Sequence, residues 1–205
     1  LIFNLEGIML SNRDIRVLSW KQLKGSYWSI FAALVIVSII TSLLSAIGIG
    51  LLLAGAAAVG IAAYLLDVIN NKKNADGSVF DPLLTGIKDS FVTSLVTFIL
   101  VTVFTFLWGL LLVIPGIVKT YAYSQAYYII TENPEIGPME AIDESRRLMN
   151  GKKMKLFLLD LSFIGWYLLG LLALGIGVIF VIPYHQLARA NFYNELREKP
   201  VSVLE

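Results

Sequence analysis

The sequence has no cysteine, a single histidine and few charged residues. Without thiols there are no disulfides, thiolate metal sites or cysteine nucleophiles. One imidazole, His185, cannot build a multi-histidine metal site, so neither a metal nor a cofactor is expected. H-E-x-x-H, G-x-S-x-G, P-loop and Rossmann glycine patterns are all missing, and the chain is read as a non-enzyme. Only 15% of its 205 residues are charged, against about 25% in soluble chains. So few charges cannot cover a water-facing surface without leaving large apolar patches. The 16 basic and 15 acidic residues leave a formal charge of +1. No global field selects a polyanion, and no nucleic-acid partner is expected.

What is abundant is apolar: 57% of the chain is hydrophobic and the mean hydropathy is +0.76. This is the composition of an integral membrane protein, whose first partner is lipid. Stretches free of Asp, Glu, Lys and Arg measure its spans: Gly25 to Leu66 (42 residues), Ser90 to Val118 (29), Thr120 to Thr131 (12) and Leu161 to Ala188 (28). Crossing the hydrocarbon layer takes about 20 apolar residues. The first stretch is therefore two helices, 27–47 and 51–69, parted by Gly48-Ile49-Gly50. A third helix, 90–114, is expected to stop or kink at Pro115-Gly116. A short fourth follows over 117–131. A fifth covers 156–182 and ends at Pro183, with Gly175-Ile176-Gly177 as an alternative, earlier break. Residues 184–197 are helical in composition but polar on most faces, and at 1.5 Å per residue they reach only about 21 Å. Such a helix either crosses with a tilt or lies in the interface, and crossing is expected.

Six spans with the N-terminus inside put fourteen of the sixteen bases on the inner side, leaving only Lys119 and Arg189. The positive-inside rule then makes both termini cytoplasmic in a multi-pass protein. The first apolar run is too long for a cleavable signal and lacks a cleavage site. Residues 1–24 read as a cytoplasmic segment, 25–197 as one transmembrane domain and 198–205 as a tail. Leu1–Ile8 precedes the first Met and is read as foreign sequence or the end of a longer start; Leu204-Glu205 is read as a cloning scar.

Two inner segments are amphipathic. Phe80, Leu84, Ile87 and Phe91 share one helical face behind Asp81 as N-cap and Pro82 at the first helical position. A second helix starts at Pro138, with Met139, Ile142 and Met149 apolar and acids preceding bases, an order that permits an Asp143–Arg147 pair. Both are expected to lie in the cytoplasmic interface, a solvated linker helix being the plainer alternative. The fold class is all-α: a polytopic transmembrane helical bundle of about six membrane helices, some short or proline-broken, with two cytoplasmic interfacial amphipathic helices. The last two units hint at a repeat, each with a tryptophan-bearing span leading to Val-Ile-Pro, at Trp108…Pro115 and Trp166…Pro183.

Ionisable residues within spans are costly and therefore the first functional suspects. They are Lys119, Asp160, His185 and Arg189. Asp160 lies near a boundary and reads most plainly as bonded to backbone or water. Lys119 can snorkel outward. His185 and Arg189, four apart, share a face with Phe192 and Leu196, and Arg189 needs a carboxylate, lipid phosphate or carbonyl partner. Lys119, Tyr123 and Tyr127 form a second stripe that suits a ligand groove, although tyrosines here more often anchor or pack. The candidate ligand-binding set is thus Lys119, Tyr123, Tyr127, His185 and Arg189, with Asp160 as a boundary charge and no catalytic or metal residue. Lys119 and Asp160 are expected near opposite membrane faces. Ala54, Ala58 and Ala62, with Ala56 and Gly60 at the same spacing, predict close helix packing within or between subunits.

Several strings carry a resemblance. KQLKGSYW, IPGIVKTYAYSQAYYI, the stretch from Pro138 through AIDESRRLMNGKK to LFLLDLSFIGWYLLGLLALGIG, and the closing IPYHQLARANFYNEL resemble an uncharacterised bacterial membrane family, catalogued as domain of unknown function nine seven five. That family is similar, more distantly, to the membrane region preceding glycerophosphodiester phosphodiesterase domains. The resemblance implies a polytopic protein of the bacterial plasma membrane. It supplies no site residues and, with no phosphodiesterase domain in the chain, no activity. The function expected is a non-enzymatic bundle that binds a lipid, a hydrophobic peptide or a partner membrane protein, itself included as a homo-oligomer. A small transporter or channel is the alternative, and an intramembrane enzyme ranks third.

Overall fold

The computed structural model describes residues 10–46, 50–70, 80–111, 113–172 and 175–197. Leu1–Ile8, the Gly48-Ile49 part of the first expected turn and the tail 198–205 lie outside the described residues. Regular structure among the described residues is α-helical throughout: α1 Asn12–Ala46, α2 Gly50–Ile69, α3 Phe80–Lys88, α4 Phe91–Leu111, α5 Val113–Tyr123, α6 Ala126–Glu132, α7 Pro138–Leu148, α8 Lys153–Leu161, α9 Ile164–Leu172 and α10 Ile176–Leu196. By length and composition three stretches among them can cross a membrane: Asn12–Ser45, Phe91–Gly109 and Lys153–Leu172. Leu53–Ile69 is a shorter apolar helix.

Several boundaries differ from expectation. The first helix starts at Asn12, about four turns before the first apolar run, because Asn12-Arg13-Asp14 opens it and no Pro or turn sequence interrupts the way to the span. The third span ends at Leu111, and Pro115 sits in the first turn of α5, where its missing N–H costs nothing. The fourth helix is divided at Ser124-Gln125 into α5 and α6. The fifth ends before Gly175, which takes φ +78°, a left-handed conformation that favours glycine. Pro183 then lies inside α10, so residues 184–197 are the second half of one 21-residue helix and not an element of their own.

Contacts divide the segment read as one domain into two compact units. Unit 1 takes Leu1–Phe31, Leu65–Lys73 and Lys155–Glu205; unit 2 takes Ala32–Tyr64 and Asn74–Met154.

In unit 1, α9 and α10 form an antiparallel hairpin, since residues pair in opposite order away from the turn. A Cβ on Gly170 would lie 2.6 Å from Val178 N, and farther down Tyr167 bonds His185. The second half of α10 is the most buried helix of the unit, with Leu187, Ala188, Phe192 and Tyr193 fully covered. Its polarity points inward. Asn191 Nδ2 donates to Ser19 Oγ (3.1 Å) and Gln22 Oε1 (2.6 Å) of α1, and Tyr184 Oη donates to the Arg16 carbonyl (3.0 Å). Near the turn the surface is apolar instead: Leu172 is 82% exposed, with Leu168, Leu169 and Leu171 exposed beside it.

In unit 2, α5 doubles back on α4: Gly109 meets Gly116, Trp108 meets Lys119, and Phe104 meets Tyr123. Both hairpins therefore bring together two glycines seven residues apart, Gly109/Gly116 and Gly170/Gly177. At Gly116, Gly170 and Gly177 an added Cβ would fall within 3 Å of the facing backbone, whereas one on Gly109 would meet nothing within 4 Å. On α2, the Ala56/Gly60 face makes the closest approach: Gly60 lies under the Leu83 carbonyl and Gly86 under the Ala56 carbonyl. Ala62 is buried as well, while Ala54 and Ala58 are only half-buried. The face of α3 that packs is Pro82, Leu83 and Gly86, leaving Phe80, Leu84 and Ile87 exposed. Asp81 sits inside the first turn and pairs with Lys88 at 3.3 Å.

Candidate functional site

The expected ligand set is divided between the two units. Lys119, Tyr123 and Tyr127 belong to unit 2, and Asp160, His185 and Arg189 to unit 1.

Asp160 is the hub of an ionic centre in unit 1. Its Oδ1 lies 2.8 Å from His185 Nε2, and its Oδ2 accepts from Arg189 Nη2 at 3.0 Å. Helix α8 supplies the carboxylate, and one face of α10 supplies both partners, as their spacing of four requires. The Tyr167 hydroxyl is 2.9 Å from His185 Nδ1, and Phe163 stacks on the imidazole with centroids 4.6 Å apart. With a neutral imidazole, Nε2–H donates to Asp160 and Tyr167 donates to Nδ1, so both ring nitrogens are satisfied. Asp160 and His185 side chains are 16% and 17% exposed, Arg189 33%. Arg189 thus finds the carboxylate it needs within the chain, and Asp160 bonds the side chains of His185 and Arg189.

The second stripe is not one groove. The break at Ser124-Gln125 leaves Lys119 and Tyr123 on α5 and Tyr127 on α6, and of the three only Lys119 lines the cavity beside α7. Tyr123 is buried against Ile142, with Phe104 beside it at 6.3 Å. Lys119 places its ammonium 4.5 Å from the centroid of Trp108, a cation–π contact at the end of a candidate span.

Sequence reasoning missed Ser145, which closes the break between α5 and α6. Its Oγ donates to the Ala122 carbonyl (2.8 Å) and accepts from Gln125 N–H (3.2 Å), with the residue fully buried. A serine on the buried side of a charged helix, opposite a helix without an apparent break, carries no sequence signal. Ser145→Ala is expected to leave both backbone groups unpaired at a cost of about 1–3 kcal/mol. Thermal unfolding in detergent micelles checks this, and an unchanged midpoint would contradict it.

Helix α7 buries one side through Ala141, Ile142 and Ser145 and is therefore not a solvated linker. The permitted Asp143–Arg147 pair does not form. Arg146 binds Asp143 at 2.7 Å, and Arg147 binds Glu144 through two bonds of 2.6 and 2.7 Å, each three residues back. Beyond them opens a cavity of about 450 Å³ whose polar lining is Lys119, Asp143, Arg146, Arg147, Asn150 and Lys153, with Ala122 as its apolar contribution. Lys119, which the charge count left off the inner side, thus shares a site with three bases placed there, because α5 doubles back along α4 and packs against α7.

Residues 110–200 match the family described as "Protein of unknown function (DUF975)". No curated protein and no solved structure matches the chain. The more distant likeness to the membrane region of glycerophosphodiester phosphodiesterases rests on the sequence strings alone.

Proposed function

We propose that the chain is a non-enzymatic membrane bundle that binds an amphiphile, a lipid before a hydrophobic peptide or partner protein. The observation that carries this reading is the cation-lined cavity of unit 2, set beside exposed apolar helix surface. On α5 itself, Ile114 is 75% exposed and Val118 43%, four residues apart on one face of the helix that also carries Lys119. A ligand with an anionic end and an apolar body fits such a boundary. The ionic centre of unit 1 has a different character, since its carboxylate and imidazole are satisfied by neighbouring side chains. It serves to hold α8 to α10. The wider setting follows from charge distribution and resemblance: a bacterial plasma membrane with both termini cytoplasmic.

Native mass spectrometry after stringent delipidation tests the reading. A stoichiometric amphiphile that stays bound is the expected result, and a bare chain under every mild detergent would count against it. A transporter is the second reading, favoured by one observation: Asp160 lies within the candidate span Lys153–Leu172. Its requirement is solute flux into liposomes that Asp160→Asn abolishes.

A further inference from the structure

We propose that the cavity of unit 2 is a binding site for a phosphate-bearing anion, in the first place the phosphodiester headgroup of an anionic phospholipid. This rests on the amphiphile-binding reading and names the headgroup it takes. Four cations face the space, Lys119 from α5, Arg146 and Arg147 from α7 and Lys153 at the start of α8, against one carboxylate, Asp143. The acids of α7 do not neutralise them. Asp143 engages Arg146 through Nη1 alone, and Glu144 engages the Nε and Nη2 of Arg147. A guanidinium carries five N–H donors, so both arginines keep donors for another acceptor. The three-residue ion pairs are also exposed, and pairs of that kind contribute only about 0–1 kcal/mol. Among the described residues no carboxylate pairs with Lys119 or Lys153.

This donor set matches phosphate chemistry. Two anionic oxygens accept from planar guanidinium forks while ammonium groups add point charge, and basic pockets among membrane helices recognise lipid headgroups in this way. Asn150 adds a neutral amide to the lining. The cavity's size favours the lipid over free phosphate. Its 450 Å³ falls in the range of small-molecule sites, about 300–1,000 Å³, and leaves room for a glycerol beside the phosphate. Lys153 opens a candidate span, and Ile114 and Val118 of α5 offer an exposed apolar track for an acyl chain.

The full chain in bilayer discs of phosphatidylcholine containing a minor share of phosphatidylglycerol provides the test, with native mass spectrometry counting the lipids retained. One phosphatidylglycerol per chain is expected in preference to phosphatidylcholine. Arg146→Gln with Lys153→Gln should lower its retention about tenfold, the effect of losing one or two charge-assisted bonds. Arg13→Gln with Lys24→Gln, the same charge change on α1, should not. Arg146 is half exposed, so the cavity variant should fold, and circular dichroism verifies that. Added inorganic phosphate is expected to leave the lipid in place. Displacement by phosphate that also binds wild type but not the cavity variant would move the source to a soluble anion and overturn the lipid assignment. Equal retention of both lipids, or no loss in the cavity variant, overturns the site while leaving amphiphile binding intact; no retained amphiphile of any kind overturns that wider reading too.

Discussion

Replacing Asp160 by Ala should destabilise unit 1 by about 3 kcal/mol or more. The substitution removes the acceptor of both His185 and Arg189 and leaves the guanidinium without its counter-charge in a largely buried setting. An uncompensated buried charge is among the costliest defects a fold can carry, whereas a complete pair roughly breaks even against apolar residues of similar size. The second half of that statement supplies the control. Asp160→Leu combined with His185→Leu and Arg189→Met removes all three polar groups together and should recover most of the lost stability. Denaturation in detergent micelles, followed by tryptophan fluorescence, gives both numbers. Equal stability of Asp160→Ala and wild type would mean that the centre is solvated and does not hold α8 to α10. A triple variant as weak as the single one would shift the explanation from charge to packing.

Gly60→Val should be comparably damaging in unit 2, at about 3 kcal/mol, the upper range for overpacking. A side chain there would collide with the backbone carbonyl of Leu83, and Gly86 meets the Ala56 carbonyl in the same way. Backbone cannot rotate aside as a side chain can, so α3 would have to leave α2 altogether. Gly25→Ala on α1 is the matched control, because nothing lies within 4 Å of its added Cβ. That change should stabilise by about 0.5–1 kcal/mol through helix propensity alone. The contrast between the two glycines, measured by the same unfolding assay, separates a contact effect from a backbone effect. A mild Gly60→Val phenotype would show that α3 is only loosely held.

The sequence made the all-helical class and the apolar stretches legible, because charge-free runs and helical spacing are local properties. The spacing of His185 and Arg189 likewise placed them on one face. Their partner Asp160 was on the candidate list, but nothing local joins a residue of α8 to one of α10. The breaks were misplaced for a related reason. Proline is a strong punctuation mark, yet Pro115 sits harmlessly in a first turn and Pro183 lies within α10, while Gly175 and the glycine pairs shape the turns. Residues 184–197 were expected to cross as a short helix of their own, polar on most faces. Asn191 and Arg189 gave it that polar look, and in unit 1 they bond inward to α1 and α8. Interior polarity and surface polarity have the same composition, and only the partners distinguish them.

The make-up of unit 1 also bears on how the chain is made. Ser19 and Asn191, bonded to each other, are 172 residues apart, a distance that a ribosome covers in about ten to thirty seconds at 5–20 residues per second. Unit 2 has all its residues available once Met154 has been synthesised, but the polar face of α1 then still lacks its partner. During that interval Ser19 keeps its bond to the Ile15 carbonyl (2.7 Å) within α1, while the Gln22 amide needs water or the insertion machinery as a temporary neighbour, since lipid cannot satisfy it. The opening helix therefore waits at a wet boundary until the closing one emerges, and shortening the C-terminus before Asn191 should strand a chain whose beginning has nothing to bind.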